Sequence, residues 1–126
     1  MLWARLPAGA FSQILENLLD NAAAAAARSD HPAIALQLDA NADYVFLRIS
    51  DSGPGIPEPV RAKLFHEQIS TKKENGGFGL FHAHQTLTKF GGAIRLLPPA
   101  GELQGANLEI VLKRIENEQP AATAAD

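Results

Sequence analysis

The chain has 126 residues, of which 46% are hydrophobic and 20% charged, and this composition is typical of one globular domain. Its net charge of −3 argues against a nucleic-acid-binding surface or a basic membrane patch, and its lack of cysteine excludes disulfides, zinc–thiolate sites and cysteine nucleophiles. No apolar run approaches the ~18 residues of a membrane-spanning helix, and the first residues do not resemble a signal peptide.

Composition divides the chain into three parts. Residues 1–7 begin abruptly, and we interpret them as a truncated lead-in from a larger chain. Residues 8–115 contain all the periodic segments and are predicted to form the ordered domain. Residues 116–126 are small and polar, cannot bury apolar surface, and are predicted to be a disordered tail.

The first predicted element is a helix from Gly9 or Ala10 to Arg28, ended by Pro32. Its apolar side chains fall on one arc of a helical wheel. This arc contains Phe11, Ile14, Leu15, Leu18, Leu19, Ala22, Ala25 and Ala26. The opposite stripe contains Gln13, Asn17, Asn21, Ala24 and Arg28. The helix is therefore expected to bury one face and to present two asparagines, one turn apart, on the other.

Alternating apolar residues predict two strands, Ala33–Asp39 and Tyr44–Ser50, joined by a short polar turn. Further along, the predicted elements are a short helix over Pro57–Phe65, a mobile loop over His66–Gly77, a helix over Leu80–Phe90 capped by Gly91 and Gly92, and a closing hairpin of Ala93–Leu97 with Asn107–Arg114. This order predicts an α+β sandwich with helices on one face of a sheet.

Three segments contain residues suited to nucleotide chemistry. The amide oxygens of Asn17 and Asn21 suit a hard cation that also binds phosphates, although solvent-facing asparagines fit the same pattern. Asp51, at the end of a strand in DSGPGI, can accept a hydrogen bond from an exocyclic amine, although the segment also fits an ordinary Gly-Pro turn. The glycine-rich segment Asn75–Leu80 leads into a helix N-terminus, which favours phosphate, but such loops are common.

Taken together, ENLLDNA, DSGPGI and LF…STK…GGFGL occur in an order that resembles the histidine-kinase-type ATPase domain, whose Bergerat fold is shared with type II topoisomerases and mismatch-repair ATPases. The resemblance extends over about Leu6 to Leu112. It implies a two-layer α/β sandwich with a mixed sheet, helices on one face and an ATP lid. The matched residues are Asn17 and Asn21 (N box), Asp51, Gly53 and Gly55 (G1 box), Phe65 (F box), and Gly77 and Gly79 (G2 box).

The resemblance also implies a role for each matched residue. Asn21, assisted by Asn17, would hold Mg²⁺ on the phosphates of ATP, and Asp51 would accept from the adenine amine. Gly53, Gly55 and Ile56 would form the pocket wall. Phe65, Ser70, Thr71, Lys72, Gly77, Phe78, Gly79 and Leu80 would complete the ATP site from the lid and the following helix.

The position of Asn17 distinguishes branches of the family. Hydrolysing members and small anti-sigma serine kinases have a glutamate there as general base, and Glu16 lies ~140° around the helix from Asn21 and cannot replace it. A histidine acceptor needs less deprotonation, because imidazole is already nucleophilic near neutral pH. The chain therefore resembles sensor histidine kinases of two-component systems. The segment LFHAHQTLTKFGG also resembles the redox-responsive kinases that control photosynthetic and respiratory genes.

Three departures from the family pattern keep alternatives open. Asn75 replaces the first G2 glycine, Ala24 replaces a common basic residue, and a supporting threonine is missing from Gly105–Asn107. The alternative functions are a non-catalytic nucleotide-sensing or partner-docking module and an anti-sigma serine kinase.

No histidine of this chain lies in the helical context of a phosphoacceptor; His82 and His84 are predicted to be surface or packing residues. The expected partners are a helical dimerisation and phosphoacceptor domain of the same parent kinase and a downstream response regulator, with no nucleic acid and no direct membrane contact. The expected location is the cytoplasm, with the parent kinase anchored in a membrane.

Overall fold

The computed structural model describes residues 3–61, 77–98, 101 and 103–115. Within these residues the chain forms the strands β1 (Trp3–Ala4), β2 (Ile34–Ala40), β3 (Tyr44–Asp51), β4 (Ala93–Leu97) and β5 (Asn107–Ile115), and the helices α1 (Ala8–Ala26), α2 (Glu58–Arg61) and α3 (Gly77–Lys89). The predicted α+β class is confirmed.

The sheet has the order β2-β3-β5-β4, with β1 paired to the last residues of β5. Every strand pair in the described part of the chain is antiparallel, so the prediction of a mixed sheet is wrong. The connection through α2 and α3 does join two strands of the same direction, β3 and β4, as crossovers do. However, β5 lies between them and pairs antiparallel with both, which removes any parallel pairing.

The helices pack on one face of the sheet. α1 lies against β3 and α3, and α3 lies against β4, so the two helices and the sheet enclose one apolar core. Its most deeply buried members come from both layers: Leu18 of α1, Ile49 of β3, Ala83 and Leu87 of α3, and Ile110 of β5.

α1 matches the predicted helix with small differences at its ends. It begins at Ala8, directly after Pro7, and ends at Ala26 rather than Arg28. After Ala26 the backbone hydrogen bonds span three residues instead of four: Arg28 N–H donates to the carbonyl of Ala25, and Ser29 N–H donates to that of Ala26. Such three-residue bonds tighten the chain into a turn and end the α-helix.

The predicted β2–β3 hairpin forms; β2 is shifted by one residue toward the turn, and β3 is one residue longer than predicted, ending at Asp51. Its turn is held by Asn41, whose Oδ1 accepts hydrogen bonds from the N–H groups of Asp43 and Tyr44, both at 2.8 Å. β2 is an edge strand that the helices do not cover. Its apolar side chains face the helical side but remain 38% (Ile34), 55% (Leu36) and 62% (Leu38) exposed.

α3 begins three residues before the predicted start, because Gly77, Phe78 and Gly79 continue its first turn instead of ending the preceding loop. Its core face consists of Leu80, Ala83 and Leu87, at the helical spacing of three and four residues. The helix ends at Lys89, one residue before the predicted end, and the glycines after it form the predicted cap: Gly91 adopts φ +83°, and Gly92 N–H donates to the Leu87 carbonyl.

Residues 1–7, predicted only as a lead-in, contribute β1, and Leu6 packs against the core. Of the predicted helix Pro57–Phe65, the structure describes the turn Glu58–Arg61. Most of the predicted loop, residues 66–76, and the predicted tail, 116–126, lie outside the described residues. No helix within the described ranges is long and apolar enough to cross a membrane.

Candidate functional site

The site is built around Asp51, the last residue of β3, which is only 3% exposed. It lies on the helix-facing side of the sheet, in the same alternation as Val45 and Ile49. Its Oδ1 accepts hydrogen bonds from Gly53 N–H at 2.8 Å and from Ala106 N–H at 3.3 Å. In the described part of the chain both hydrogen bonds to this carboxylate go to Oδ1, and none goes to Oδ2. The second oxygen is thereby left as an acceptor for an external donor.

The turn after Asp51 packs against the C-terminal turn of α1. A Cβ atom placed on Gly53 would lie 2.6 Å from the carbonyl oxygen of Ala25, so only glycine permits this approach. Two serines hold the same junction, because the hydroxyls of Ser29 and Ser52 are 2.8 Å apart and Ala33 N–H donates to Ser52 Oγ at 2.9 Å. The turn is therefore attached to α1 at a defined position.

This junction places the N-box asparagines beside the turn. Asn17, Asn21 and Ala25 are spaced four residues apart and follow one another along one side of α1, so the asparagines border the buried arc and do not lie opposite it as predicted. Asn21 thus lies one helical turn, about 6 Å along the axis, before the point where Gly53 contacts the helix. Both asparagines are half-buried, unlike the exposed Gln13 of the same stripe. The structure therefore brings Asn21 and Asp51, 30 positions apart in sequence, to one region of the molecule.

Gly55 and Ile56 continue the turn. Gly55 has φ +84°, in the left-handed region that favours glycine, and among the described residues no atom outside its chain neighbours would meet a Cβ placed on it. Ile56 is half-buried and packs against the core, so it joins the turn to the helix layer. Chain continuity and packing thus place these two residues near Asp51, and their role as a pocket wall stays a prediction.

The G2 residues lie at the N-terminus of α3. The first turn of a helix presents backbone N–H groups without helical partners and a positive dipole end, which suits an anion. Gly77, Phe78 and Gly79 form this turn. The side chain of Leu80 is 3% exposed and belongs to the core, which leaves its backbone as the part able to face a ligand. The predicted site residues Phe65, Ser70, Thr71 and Lys72 lie outside the described residues.

A divalent cation would have to be held by the amides of α1. Within the described ranges no cluster of three histidine or carboxylate side chains could hold a metal ion by itself. Amide oxygens at Asn17 and Asn21 are hard ligands, and Mg²⁺ commonly takes one or two protein oxygens and completes its octahedron with water and substrate phosphates. The donor set therefore fits Mg²⁺ delivered with a nucleotide, and not a permanent protein-only metal site.

The sequence did not predict that Gly105 and Ala106 form part of the site around Asp51; at this segment it showed only that a supporting threonine is absent. The backbone of these residues runs beside Asp51: Asp51 N–H donates to Ala106 O at 3.1 Å, and Gly105 N–H donates to Asp51 O at 2.9 Å. The available signal was a glycine two residues before a predicted strand, because close approach of two backbones often requires a glycine.

The one resolved pKa shift among the described residues lies away from this site. Glu109 is on the outer face of the sheet, between Arg48 and Arg95 of the adjacent strands. Arg48 Nε donates to its Oε2 at 2.9 Å, and Arg95 donates to its Oε1. Burial raises the pKa of Glu109, but the hydrogen bonds and charges of the two arginines outweigh burial and hold it below the ordinary value. This triad binds three strands together and is structural.

Comparison with known proteins agrees with the geometry. Residues 8–116 match the family of histidine kinase-, DNA gyrase B- and HSP90-like ATPases. The sensor histidine kinase DpiB of Escherichia coli is 37% identical over 91 residues, which cover 68% of this chain. The C4-dicarboxylate transport sensor protein DctB of Rhizobium meliloti is 36% identical over 99 residues, which cover 77% of it. In both cases the match spans 16% of the relative's length.

Two solved structures have a similar fold. The mycobacterial sensor histidine kinase MprB superposes with a TM-score of 0.74 at 27% identity, over 90% of this chain and 78% of that one. The catalytic domain of the histidine kinase ThkA superposes with a TM-score of 0.72 at 24% identity, over 86% and 69%. The second likeness concerns the fold alone.

Proposed function

Because this chain belongs to the family of histidine kinase-, DNA gyrase B- and HSP90-like ATPases, we propose that residues 8–115 bind ATP with Mg²⁺ and transfer its γ-phosphoryl group to a histidine. The acceptor lies on a separate dimerisation and phosphoacceptor domain of the parent kinase, which then passes the group to a response regulator. The relatives named as sensor histidine kinases support this placement in two-component signalling.

The observation that carries the proposal is the hydrogen bonding of Asp51. Its Oδ1 is occupied by two backbone donors, and Oδ2 has none within the described residues. An unbonded acceptor on an aspartate that is only 3% exposed favours a ligand with an exocyclic amine, because a ligand without that donor would cover the carboxylate oxygen and leave it unpaired. Adenine has such an amine, and Gly53, Gly55 and Ile56 supply a turn beside which a flat ring fits.

Asn21, with Asn17 one turn before it, is the proposed ligand pair for Mg²⁺. When bound, the ion neutralises charge on the phosphate oxygens and helps to orient the γ-phosphoryl group. The N–H groups at the start of α3, from Gly77 to Leu80, are proposed to bind phosphate oxygens. Phe65, Ser70, Thr71, Lys72 and Phe78 remain proposed contributors from the resemblance alone.

The chemistry asked of this chain is positioning. In the transfer, the bond between the γ-phosphorus and the β–γ bridging oxygen of ATP breaks, so that this oxygen leaves with ADP, and a bond forms between the γ-phosphorus and an imidazole nitrogen of the acceptor. Asn17 is neutral and cannot take a proton from water, and Glu16 is exposed and lies on a different part of the helix surface. Rapid hydrolysis of ATP is therefore not expected from this residue set, and the incoming histidine supplies the nucleophile.

The experiment that tests the proposal uses this chain with ATP and a phosphoacceptor domain of the same parent kinase. Calorimetric titration should show ATP binding that is stronger with Mg²⁺ than with a chelator. Radiolabel from the γ-phosphate should appear on the acceptor domain, in an acid-labile form, and not on this chain. Label on this chain, or fast release of phosphate without the acceptor, would contradict the proposal and favour a serine kinase or ATPase.

Asn21→Ala provides the variant for this experiment. It should abolish transfer and the Mg²⁺ dependence of binding. Both are measured well below the unfolding midpoint of the variant, because Nδ2 of Asn21 is buried and its removal can cost stability. Gln13→Ala, on the same stripe but two turns away, is the matched control and should transfer at the normal rate. Normal transfer by Asn21→Ala would remove this residue from the metal site.

The second candidate is a nucleotide-sensing module that binds without transfer. Ala24 favours it, because this exposed position has no cation to balance phosphate charge. Binding of ATP that is independent of Mg²⁺, with no labelling of the acceptor domain, is the result expected from this alternative.

A further inference from the structure

The backbone of Gly105 and Ala106, just before β5, lies in contact with Asp51. Gly105 is buried, and its N–H donates to the Asp51 carbonyl at 2.9 Å. The next residue, Ala106, makes two bonds to the same aspartate: its carbonyl accepts from Asp51 N–H at 3.1 Å, and its N–H donates to Oδ1 at 3.3 Å. Asp51 is thus bonded through its N–H, its carbonyl and its side chain to two residues more than 50 positions away.

This approach is possible only without a side chain at position 105. A Cβ atom there would lie 2.6 Å from the Asp51 carbonyl oxygen and 2.7 Å from Gly53 N, and closer still to Asp51 Oδ1. All three are groups that contacting side chains essentially never approach so closely, and two belong to backbone that cannot move aside. Gly105 is not among the glycines with positive φ, so the requirement is for space and not for an unusual conformation.

We infer that Gly105 is a positioning residue that sets the purine selectivity of the site, an inference that rests on the proposed function. Gly105 allows Ala106 N–H to reach Oδ1 from one side while Gly53 N–H binds it from the other. With Oδ1 held on both sides, the rotation of the carboxylate is restricted and Oδ2 is the oxygen presented to the ligand. A purine with an amine at C6 then donates a hydrogen bond to Oδ2. A purine with a carbonyl at C6 instead places its carbonyl oxygen against Oδ2; both atoms are acceptors, so this purine binds more weakly.

The test is Gly105→Ala, measured as affinity for ATP and for inosine triphosphate, which differs at C6. The unmodified chain should prefer ATP, and Gly105→Ala should reduce that preference about tenfold by weakening ATP binding more than inosine triphosphate binding. Gln104→Ala is the matched control, because this exposed neighbour contacts the loop at Gly101 and not Asp51. It should keep the preference.

A double variant separates positioning from general damage. In an Asp51→Ala background, Gly105→Ala should have no further effect on the ratio of the two affinities, because its effect acts through the carboxylate. If Gly105→Ala fails to fold, replacement of Ala106 by lactic acid removes the N–H donor to Oδ1 without adding an atom. That variant should lower the preference for ATP in the same way.

The outcomes distinguish this inference from the proposed function. An unmodified chain that prefers ATP, with Gly105→Ala or the lactic acid variant keeping the full preference, overturns the positioning role and leaves the proposed function standing. An unmodified chain that binds neither nucleotide overturns the proposed function itself. If Gly105→Ala lowers the preference for ATP by the same factor in the Asp51→Ala background as in the unmodified chain, the inference is also overturned.

Discussion

Gly53 lies directly against the backbone of Ala25, so the turn that follows Asp51 is seated on the last turn of α1. A Cβ atom at position 53 would be 2.6 Å from the Ala25 carbonyl oxygen and 2.8 Å from both its carbonyl carbon and its Cβ. The contact joins the two halves of the proposed site, the turn proposed to bind adenine and the helix whose asparagines are proposed to bind Mg²⁺.

Gly53→Ala tests the importance of that contact. The added methyl group must displace either the turn or the end of α1, and we expect a loss of about 1–3 kcal/mol of stability, as for other overpacked sites. ATP affinity, measured well below the unfolding midpoint, should fall as well. Gly9→Ala, at a position with nothing within 4 Å, is the control and should lose neither stability nor affinity. Full ATP affinity in Gly53→Ala would show that the contact is not needed for binding.

Asp51→Asn should weaken ATP binding by about 1–3 kcal/mol, the range for an unpaired buried polar group. The amide can keep an oxygen toward the N–H groups of Gly53 and Ala106, but it then presents an NH₂ donor where Oδ2 stood. The NH₂ of the asparagine and the amine of adenine are both donors and could not bond to each other, whereas a carbonyl at C6 of the purine could accept a hydrogen bond from this NH₂. We therefore expect affinity for inosine or guanosine triphosphate to rise relative to ATP in competition titrations.

Asp39→Asn is the control for this substitution. Asp39 also accepts a backbone N–H through Oδ1, but it is exposed on β2. It should leave both affinities unchanged. An Asp51→Asn chain that retains full preference for ATP would place the adenine amine elsewhere.

Glu109 predicts a specific dependence of stability on acid. Its folded pKa lies below the ordinary 4.5, so its ionic contribution is fully present above that pH and is lost as pH falls through the lowered folded pKa. Glu109→Gln should therefore destabilise the chain by about 1–3 kcal/mol at pH 7, a range for hydrogen bonds to charged groups. The difference between the variant and the unmodified chain should shrink below pH 4.5.

Denaturant unfolding at several pH values measures this difference. Glu16→Gln, an exposed glutamate on α1, should show no change at any of them. A Glu109→Gln effect of constant size from pH 7 to pH 3 would mean that the arginines act through shape and packing and not through charge.

Leu87 and Leu38 should differ widely in their contribution to stability, because one lies in the core and the other on the edge strand. Leu87 of α3 is completely buried, and Leu87→Ala should cost about 2–5 kcal/mol because it leaves a cavity in the core. Leu38 of β2 is 62% exposed, and Leu38→Ala should change stability by less than about 1 kcal/mol. Unfolding midpoints of the two variants in urea compare them directly. Equal losses would show that the edge strand is covered in solution.

Local patterns in the sequence predicted most elements and the family. The apolar spacing of α1 and α3 and the alternation of β2 to β5 are local signals, because a helix or strand that borders a core must repeat with its own period. Ends were less accurate: α3 begins at Gly77, since glycines that suit a loop are also tolerated in a first helical turn. The order of the three nucleotide motifs was likewise readable, because each is a continuous segment.

Only the tertiary structure decided which distant segments meet. The insertion of β5 between β3 and β4, the burial of Glu109 between two arginines, and the exposure of Leu38 depend on strand order, which no single segment encodes. The same holds for Gly105 against Asp51, where the requirement for glycine comes from atoms more than 50 positions away. The sequence by itself thus determined the elements and the residue types that we propose to bind a nucleotide, whereas their pairing, burial and mutual hydrogen bonds arose from non-local packing.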